Sequence, residues 1–283
     1  MRIIIITVFT FLTLGVLVLM ARIWGLSQTF PVYQHAFFGG AEPILIVKTE
    51  TLTEAQEAVK VRPDVVLWLD VRVSKDRVAF VLPSSNDNEF IQKKQEEQAK
   101  RPTEPIFTGG KIAEYDWRKI REVFPQTPLL TAFYKEFPTT RFIINIIDNT
   151  NEVHRTVVTE LEKVQPDNRT LVQSDTLVIL TAIKELKPTW LYGTSLPDIM
   201  RLLTFDSLYI LPTTQLMGDV FIAPLTHRKR PAINDEIIEE MRRRNRRIYL
   251  GPLNNEEDFA LARKYKAEGY IADDLSTLLK FTE

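Results

Sequence analysis

Apolar and polar positions change character twice along the chain. Residues 3–21 carry no charged side chain at all. Beyond residue 31, short apolar runs alternate with stretches in which apolar residues recur every three or four positions. This alternation is broken once, at 86–108, where polar residues dominate and the run QKKQEEQAKR appears. The apolar runs are continuous rather than alternating: Val65-Val66-Leu67-Trp68-Leu69, and Phe142-Ile143-Ile144 with one polar interruption at Asn145. Continuous runs suit strands buried on both faces, as in a parallel sheet covered by helices. Strands are predicted at 32–38, 65–73, 78–82, 141–147, 169–173, 190–192, 208–211, 220–223, 247–250 and 270–272. Helices are predicted at 51–61, 115–124, 129–137, 152–164, 176–186, 196–203, 234–245, 256–268 and 275–281.

Repeated strand–helix units with short connections favour a parallel sheet. About eight such strands in roughly 250 residues is the size of a (β/α)8 barrel of the TIM type. An open doubly wound sheet is the alternative, but no glycine-rich phosphate loop follows the first strand at the right spacing. The barrel is therefore expected over residues 32–283, with 84–112 as a surface excursion and 26–31 as a linker.

The N-terminal stretch, 1–25, reads as a transmembrane signal anchor. Its nineteen uncharged residues, 3–21, span about 28 Å as a helix, close to the hydrocarbon thickness of a bilayer. Arg2 and Arg22 flank it, and Trp24 suits an interfacial anchor. A cleaved signal peptide is the rival reading, but Met20-Ala21-Arg22-Ile23-Trp24 is too bulky for a small-x-small cleavage site. The expectation is a single-pass anchor with the barrel on the extracytoplasmic side.

Composition narrows the chemistry. The formal net charge is -1, which argues against a nucleic-acid binder. There is no cysteine, so disulfides, thiolate metal sites and cysteine nucleophiles are excluded. His35, His154 and His227 are too scattered along the chain for a zinc cluster.

Barrel enzymes place functional groups at the C-terminal ends of their strands. The polar residues expected there are His35, Asp70, Asn145 and Gln173, with Ser174 and Asp175 just beyond. Asp70 closes an all-apolar strand and needs a partner, either a ligand or a neighbour such as Arg72. Two basic clusters, Arg228-Lys229-Arg230 and Arg242-Arg243-Arg244, flank one predicted helix. Such a patch suits anionic headgroups or an acidic partner, although the acidic residues between the clusters favour a solvated, salt-bridged face.

The segment LDVRVSKDRVAFV resembles the E-x-D-V strand and T-K-D-G turn of the glycerophosphodiester phosphodiesterase family, in which a strand closing on H-D follows. Further segments resemble the family in its own order: GGKIAEYDWRKIREV, TPLLTAFYKEFPTTRFIINI, RTLVQSDTLVILTAIKELKP and AEGYIADDLSTLLKF. The resemblance spans nearly all of 32–283 and implies a TIM-type barrel holding a divalent metal and an acid/base pair.

Departures from the family pattern are concentrated at its chemistry. His35 is expected in place of the histidine of the H-R pair, with Ala36 where the arginine would hold phosphate. The metal-binding glutamate of the E-N-T element corresponds to Thr49 or to Glu50, depending on where the match is pinned. In the E-x-D pair Trp68 replaces the glutamate while Asp70 keeps the aspartate. Pro83 and Ser84 replace H-D, and Asn145 or its neighbour stands where the N-I-E-I-K glutamate should be. A site with so little negative charge would hold calcium or magnesium weakly, so no cofactor is expected. The resulting expectation is a membrane-anchored pseudoenzyme that serves as a binding or scaffolding module, its partner a phospholipid headgroup or a membrane protein. The alternative is an active metal-dependent phosphodiesterase of lipid metabolism using His35, Asp70 and Glu50, and a third reading is a different hydrolytic activity at the same mouth.

Overall fold

The computed structural model describes residues 2–83, 85–99 and 111–282. A long helix, α1 (Arg2–Leu26), precedes the first barrel unit, β1 (Ile44–Lys48) and α2 (Leu52–Val61). Next come β2 (Val66–Val73), β3 (Ala79–Val81), α3 (Asn86–Ala99), α4 (Trp117–Val123) and α5 (Leu130–Glu136). The middle units are β4 (Arg141–Ile146), α6 (Val153–Glu162), β5 (Thr170–Gln173), α7 (Leu177–Leu186), β6 (Leu191–Tyr192) and α8 (Leu196–Ser207). The last are β7 (Val220–Ala223), the short hairpin β8 (Thr226–His227) and β9 (Arg230–Pro231), and α9 (Asp235–Arg243). After these follow β10 (Arg247–Leu250), α10 (Glu256–Lys264), β11 (Gly269–Ala272) and α11 (Leu275–Thr282).

Parallel pairing runs β6-β5-β4-β2-β1-β11-β10-β7, and β3 folds back antiparallel on β2. Eight parallel strands thus form a nearly closed barrel. The seam between β6 and β7 is bridged largely by side chains. Asp219 donates its N–H to the Tyr192 carbonyl at 2.7 Å and accepts the Tyr192 N–H on its carboxylate at 3.1 Å. Thr194 Oγ1 donates to the Val220 carbonyl at 2.8 Å and accepts the Ile222 N–H at 3.3 Å. Hydroxyl and carboxylate here stand in for backbone groups that would otherwise be orphaned. Close approach at the seam also needs Gly218, where a Cβ would lie 2.4 Å from the Gly193 carbonyl oxygen.

Period-2 alternation sorts the strand residues. One set, including Val66, Trp68, Ile143, Leu171 and Ile222, fills the barrel interior. The other, including Leu67, Leu69, Ile144 and Val172, packs under the helices. Trp68 is 8% exposed and belongs to this interior set.

Two predicted strands are absent. Residues 32–38 form no strand, and a single 3-10 turn (Ala36–Phe38) plugs the N-terminal end of the barrel. Phe37 is completely buried there against the interior set, and Arg141, the first residue of β4, donates to its carbonyl at 2.8 Å. The first barrel strand is Ile44–Lys48 instead, a short run following Pro43. Aromatic composition makes 32–38 strand-like, yet Phe37 and Phe38 are buried as part of the plug, against the interior set. Residues 208–211 likewise form no strand, because α8 continues to Ser207 and Tyr209 then takes φ 60.

Of the expected excursion, α3 packs Phe90 against Phe80, Leu82 and Ile120. Residues 100–110, with Gly109 and Gly110 of the family-like segment, lie outside the described residues. The buried Arg72 fixes α3 by donating both terminal nitrogens to Asp87, at 2.7 and 3.0 Å, and faces Asp148 at 3.8 Å.

Helix α1 is long and apolar enough to cross a membrane, and nearly all of it projects away from the barrel. Its C-terminal turn is seated against the loop before β7. A Cβ on Gly25 would lie 2.6 Å from the Pro212 carbonyl carbon, and Arg22 donates to the Tyr209 carbonyl at 3.1 Å. Arg243 donates to Gln28 at 2.9 Å and Asn245 to Phe30 at 2.7 Å. All these partners precede strands or close helices, so α1 departs from the N-terminal end of the barrel.

Candidate functional site

Register brings three of the expected polar residues onto one rung at the opposite, C-terminal end. Asp70 pairs with Asn145, and Asn145 with Gln173. Each follows an apolar residue pair along its strand, so all three point inward. Asp70 Oδ1 accepts from Trp68 Nε1 at 2.9 Å and from Asn145 Nδ2 at 2.7 Å. Gln173 donates from Nε2 to the Thr194 carbonyl at 2.9 Å, while its buried Oε1 has no partner. A glycine at 193 is what makes room for this amide, since a Cβ there would meet Oε1 at 1.9 Å.

Two clefts open at this mouth. The larger, about 830 Å3, runs from the end of β1 to the start of α11 and is lined by Glu50, Glu54, Pro83 and Asp273 among others. The smaller, about 310 Å3, lies over the barrel axis and is lined by Asn145, Gln173, Asp175 and His227. Lys48, Trp68 and Asp70 line both. Lys48 Nζ donates to Asp273 Oδ1 at 2.5 Å, closing an ion pair across the β1–β11 strand ends. Burial pushes the Asp175 carboxyl up, the Asp70 charge adds to this, and His227 opposes it. The Glu50 carboxyl is raised by partial desolvation, then by the charges of Glu54 and Asp70, with Lys48 opposing.

Other expected site residues lie elsewhere. His35 is at the plugged N-terminal end, where its Nδ1 accepts the Phe37 N–H at 3.1 Å and its ring stacks on Tyr33. Burial lowers its pKa, and its charged neighbours are Asp167 and Asp219 rather than Asp70. The expected acid/base position is therefore a helix cap remote from the mouth, and β1 ends at Lys48. Arg72 pairs with Asp87 and Asp148 and not with Asp70. Ser84 lies outside the described residues.

The two basic clusters do not make one patch, because they sit at opposite ends of α9, a helix about 13 Å long. Arg228 and Lys229 form the left-handed turn of the β8–β9 hairpin, with Arg230 opening β9. At the other end Arg242 donates to the Tyr265 carbonyl, and Glu240 pairs with both Arg243 and Arg244. Arg243 and Arg244 also lie over the Phe30 ring, so this cluster holds the linker after α1.

Lys48, Asp273, Glu54 and His227 were not singled out from the sequence as mouth residues. Lys48 carried a usable signal, the same one as Asp70: a lone charge closing an apolar run. Asp273 and His227 had none, since only the barrel's closure brings them near.

Parallel barrels with helices outside and polar strand ends at one mouth are a broad class. No protein-family model matches the chain, and no curated protein is similar to it in sequence. Solved structures define the class more closely. The glycerophosphoryl diester phosphodiesterase domain of a Mycobacterium tuberculosis protein is similar with TM-score 0.63 at 13% identity, over 85% of this chain and 98% of that one. The Thermotoga maritima glycerophosphodiester phosphodiesterase is similar with TM-score 0.55 at 16% identity, over 86% and 99%. An Oleispira antarctica phosphodiesterase in complex with sn-glycerol-3-phosphate is similar with TM-score 0.58 at 11% identity, over 88% and 99%. The fold is thus that of the glycerophosphodiester phosphodiesterase barrels, preceded by an apolar helix.

The divalent metal implied by the resemblance in sequence would call for several oxygen ligands around one point. Among the described residues, no three His, Asp or Glu side chains converge as metal ligands. Asp70 is the one carboxylate on the inward rung, and its Oδ1 already accepts two hydrogen bonds. The Lys48 ammonium lines the same space.

Proposed function

We propose that this chain is a membrane-anchored barrel that binds a small ligand or partner at its mouth and has lost phosphodiesterase chemistry. One observation carries the reading: the Asp70 carboxylate is engaged by Trp68 and Asn145, the two residues standing where the family pattern has glutamates. A hydrolase needs a base for the nucleophile, an acid for the leaving group and positive charge for the phosphoryl oxygens. Here Lys48, which lines both clefts, is paired with Asp273, and His35 lies at the far end. Helix α1 serves as the anchor. Because it leaves from the end opposite the mouth, the ligand arrives from the aqueous side and is not a headgroup of the lipids around α1.

The test is hydrolysis of glycerophosphodiesters by the full chain in detergent, with calcium, with magnesium and with chelator, beside Asp70→Ala. Wild type should match the variant in every condition. Metal-dependent turnover that disappears in Asp70→Ala would overturn the proposal and make Asp70 a ligand.

A further inference from the structure

Helix α8 ends in a left-handed turn with an aromatic residue at its tightest point. The Ile210 N–H returns to the Phe205 carbonyl at 2.9 Å, and Tyr209 between them takes φ 60. Glycine fills this position of a helix terminus most easily, since it has no Cβ to clash. The same turn closes α9 with Asn245 (φ 55) and α10 with Lys266 (φ 45), polar residues that suit an aqueous surface. Tyr209 is 73% exposed, and its side chain makes no hydrogen bond, ring contact or ion pair among the described residues. Leu208 before it is 53% exposed. A bulky residue in left-handed backbone carries a steric cost, and none of those interactions offsets it here.

The neighbour of this corner says what covers it. The uncharged run of α1 stops at Arg22, whose guanidinium donates to the Tyr209 carbonyl at 3.1 Å. With α1 across a bilayer, the corner is held where the helix passes from hydrocarbon into headgroups, beside the exposed Trp24. Tyrosine and tryptophan concentrate at that depth, because the ring is apolar while its polar tip reaches water. We infer that Leu208 and Tyr209 insert into the interfacial layer of the bilayer that α1 spans, as a second membrane contact of the barrel. This goes beyond the binding role proposed above and rests on its reading of α1 as the anchor. An anchor alone leaves the barrel to pivot about the end of α1, and a wedged corner beside it opposes that motion. Another protein seated on this corner would have to reach it at headgroup depth, against α1.

The experiment uses the full chain in vesicles of phosphatidylcholine and phosphatidylglycerol. The environment-sensitive fluorophore NBD is attached at Ser207→Cys, an exposed position next to the pair. Its emission should be blue-shifted, quenched by lipid bearing a nitroxide near the headgroup, and shielded from aqueous iodide. Tyr209→Gly in the same background should raise iodide quenching at least about twofold, whereas Tyr209→Trp should leave it unchanged. Because glycine suits the left-handed position, Tyr209→Gly should melt no lower than its parent, which separates lost insertion from lost structure. A lower melting temperature for Tyr209→Gly would overturn the assignment by making the ring a structural contact. So would a parent label open to iodide, or one that Tyr209→Gly leaves shielded. A label shielded from iodide yet untouched by the nitroxide lipid would put a protein on the corner and overturn it too. Carbonate extraction tells the two failures apart. Release of the chain removes α1 as the anchor, whereas a retained chain with an exposed label removes only this contact.

Discussion

Two aspartates near the mouth show how local chemistry separates similar side chains. Asp274 begins α11 and accepts the Thr277 N–H at 2.8 Å together with the Ser276 and Thr277 hydroxyls. These bonds favour the charged form and hold its pKa below the ordinary 3.8. Its contribution to stability is therefore complete above that value and is lost as pH falls through the lower, folded pKa. Asp274→Ala should cost about 1 kcal/mol, the usual worth of an N-cap, read as a lower melting temperature at pH 7. The cost should shrink at acid pH as wild type loses the same bonds. Asp175 is the opposite case, since burial raises its carboxyl. Raised pKa means that its charged form opposes folding, so stability is greatest below the unfolded value and declines as pH rises through the folded one. The serine, threonine and acidic residues within 273–277 make the cap legible in the sequence. The raised carboxyl of Asp175 is not, because the charges that act on it, Asp70 and His227, come from distant parts of the chain.

At the scale of elements, the β6–β7 seam is the least regular part of the barrel. Two backbone groups, the Val220 carbonyl and the Ile222 N–H, are satisfied by one hydroxyl, Thr194 Oγ1. Thr194→Val keeps the shape but removes both bonds, leaving buried polar groups unpaired. We expect a loss of about 2–4 kcal/mol by denaturant unfolding, while Thr194→Ser should lose less than half of that. Continuous apolar runs at β2, β4, β7 and β10 were readable as buried strands. By contrast β1 was passed over in favour of 32–38, whose aromatic residues have strand-like composition. Local propensity counts Tyr33, Phe37 and Phe38 as strand formers, but only the assembled barrel offers the open end that Phe37 fills. His35 moved with that plug, which is why the acid/base position inferred from resemblance ended at the wrong face.

For the whole molecule, the relation of α1 to the barrel has the largest consequence. Gly25 against Pro212 and Arg22 on the Tyr209 carbonyl seat the helix beside the exposed Leu208 and Tyr209. With α1 in a bilayer, this end lies at the headgroup level and the mouth faces away. The chain has no cysteine, so single-cysteine variants report unambiguously. A bimane label at Tyr209→Cys in proteoliposomes should be quenched by nitroxide-labelled lipid. A label at Val178→Cys, at the start of α7 on the mouth side, should not. Equal quenching at both positions would show that the barrel lies on its side.

The order of strands and helices was written in the apolar pattern, because burial on one or two faces imposes a period that survives in one dimension. So were the membrane-length helix and the lone charge of Asp70 at the end of a strand. Which residues share the mouth was decided only by tertiary structure. Barrel closure sets Asp273 beside Lys48, and strand register sets Asn145 beside Asp70, across separations of 225 and 75 residues. The same closure consigned Arg243 and Arg244 to the linker end and left Gln173 Oε1 unpaired opposite Gly193. Sequence spacing carries no information about such pairings, since they are fixed by the number, tilt and stagger of strands around a closed sheet.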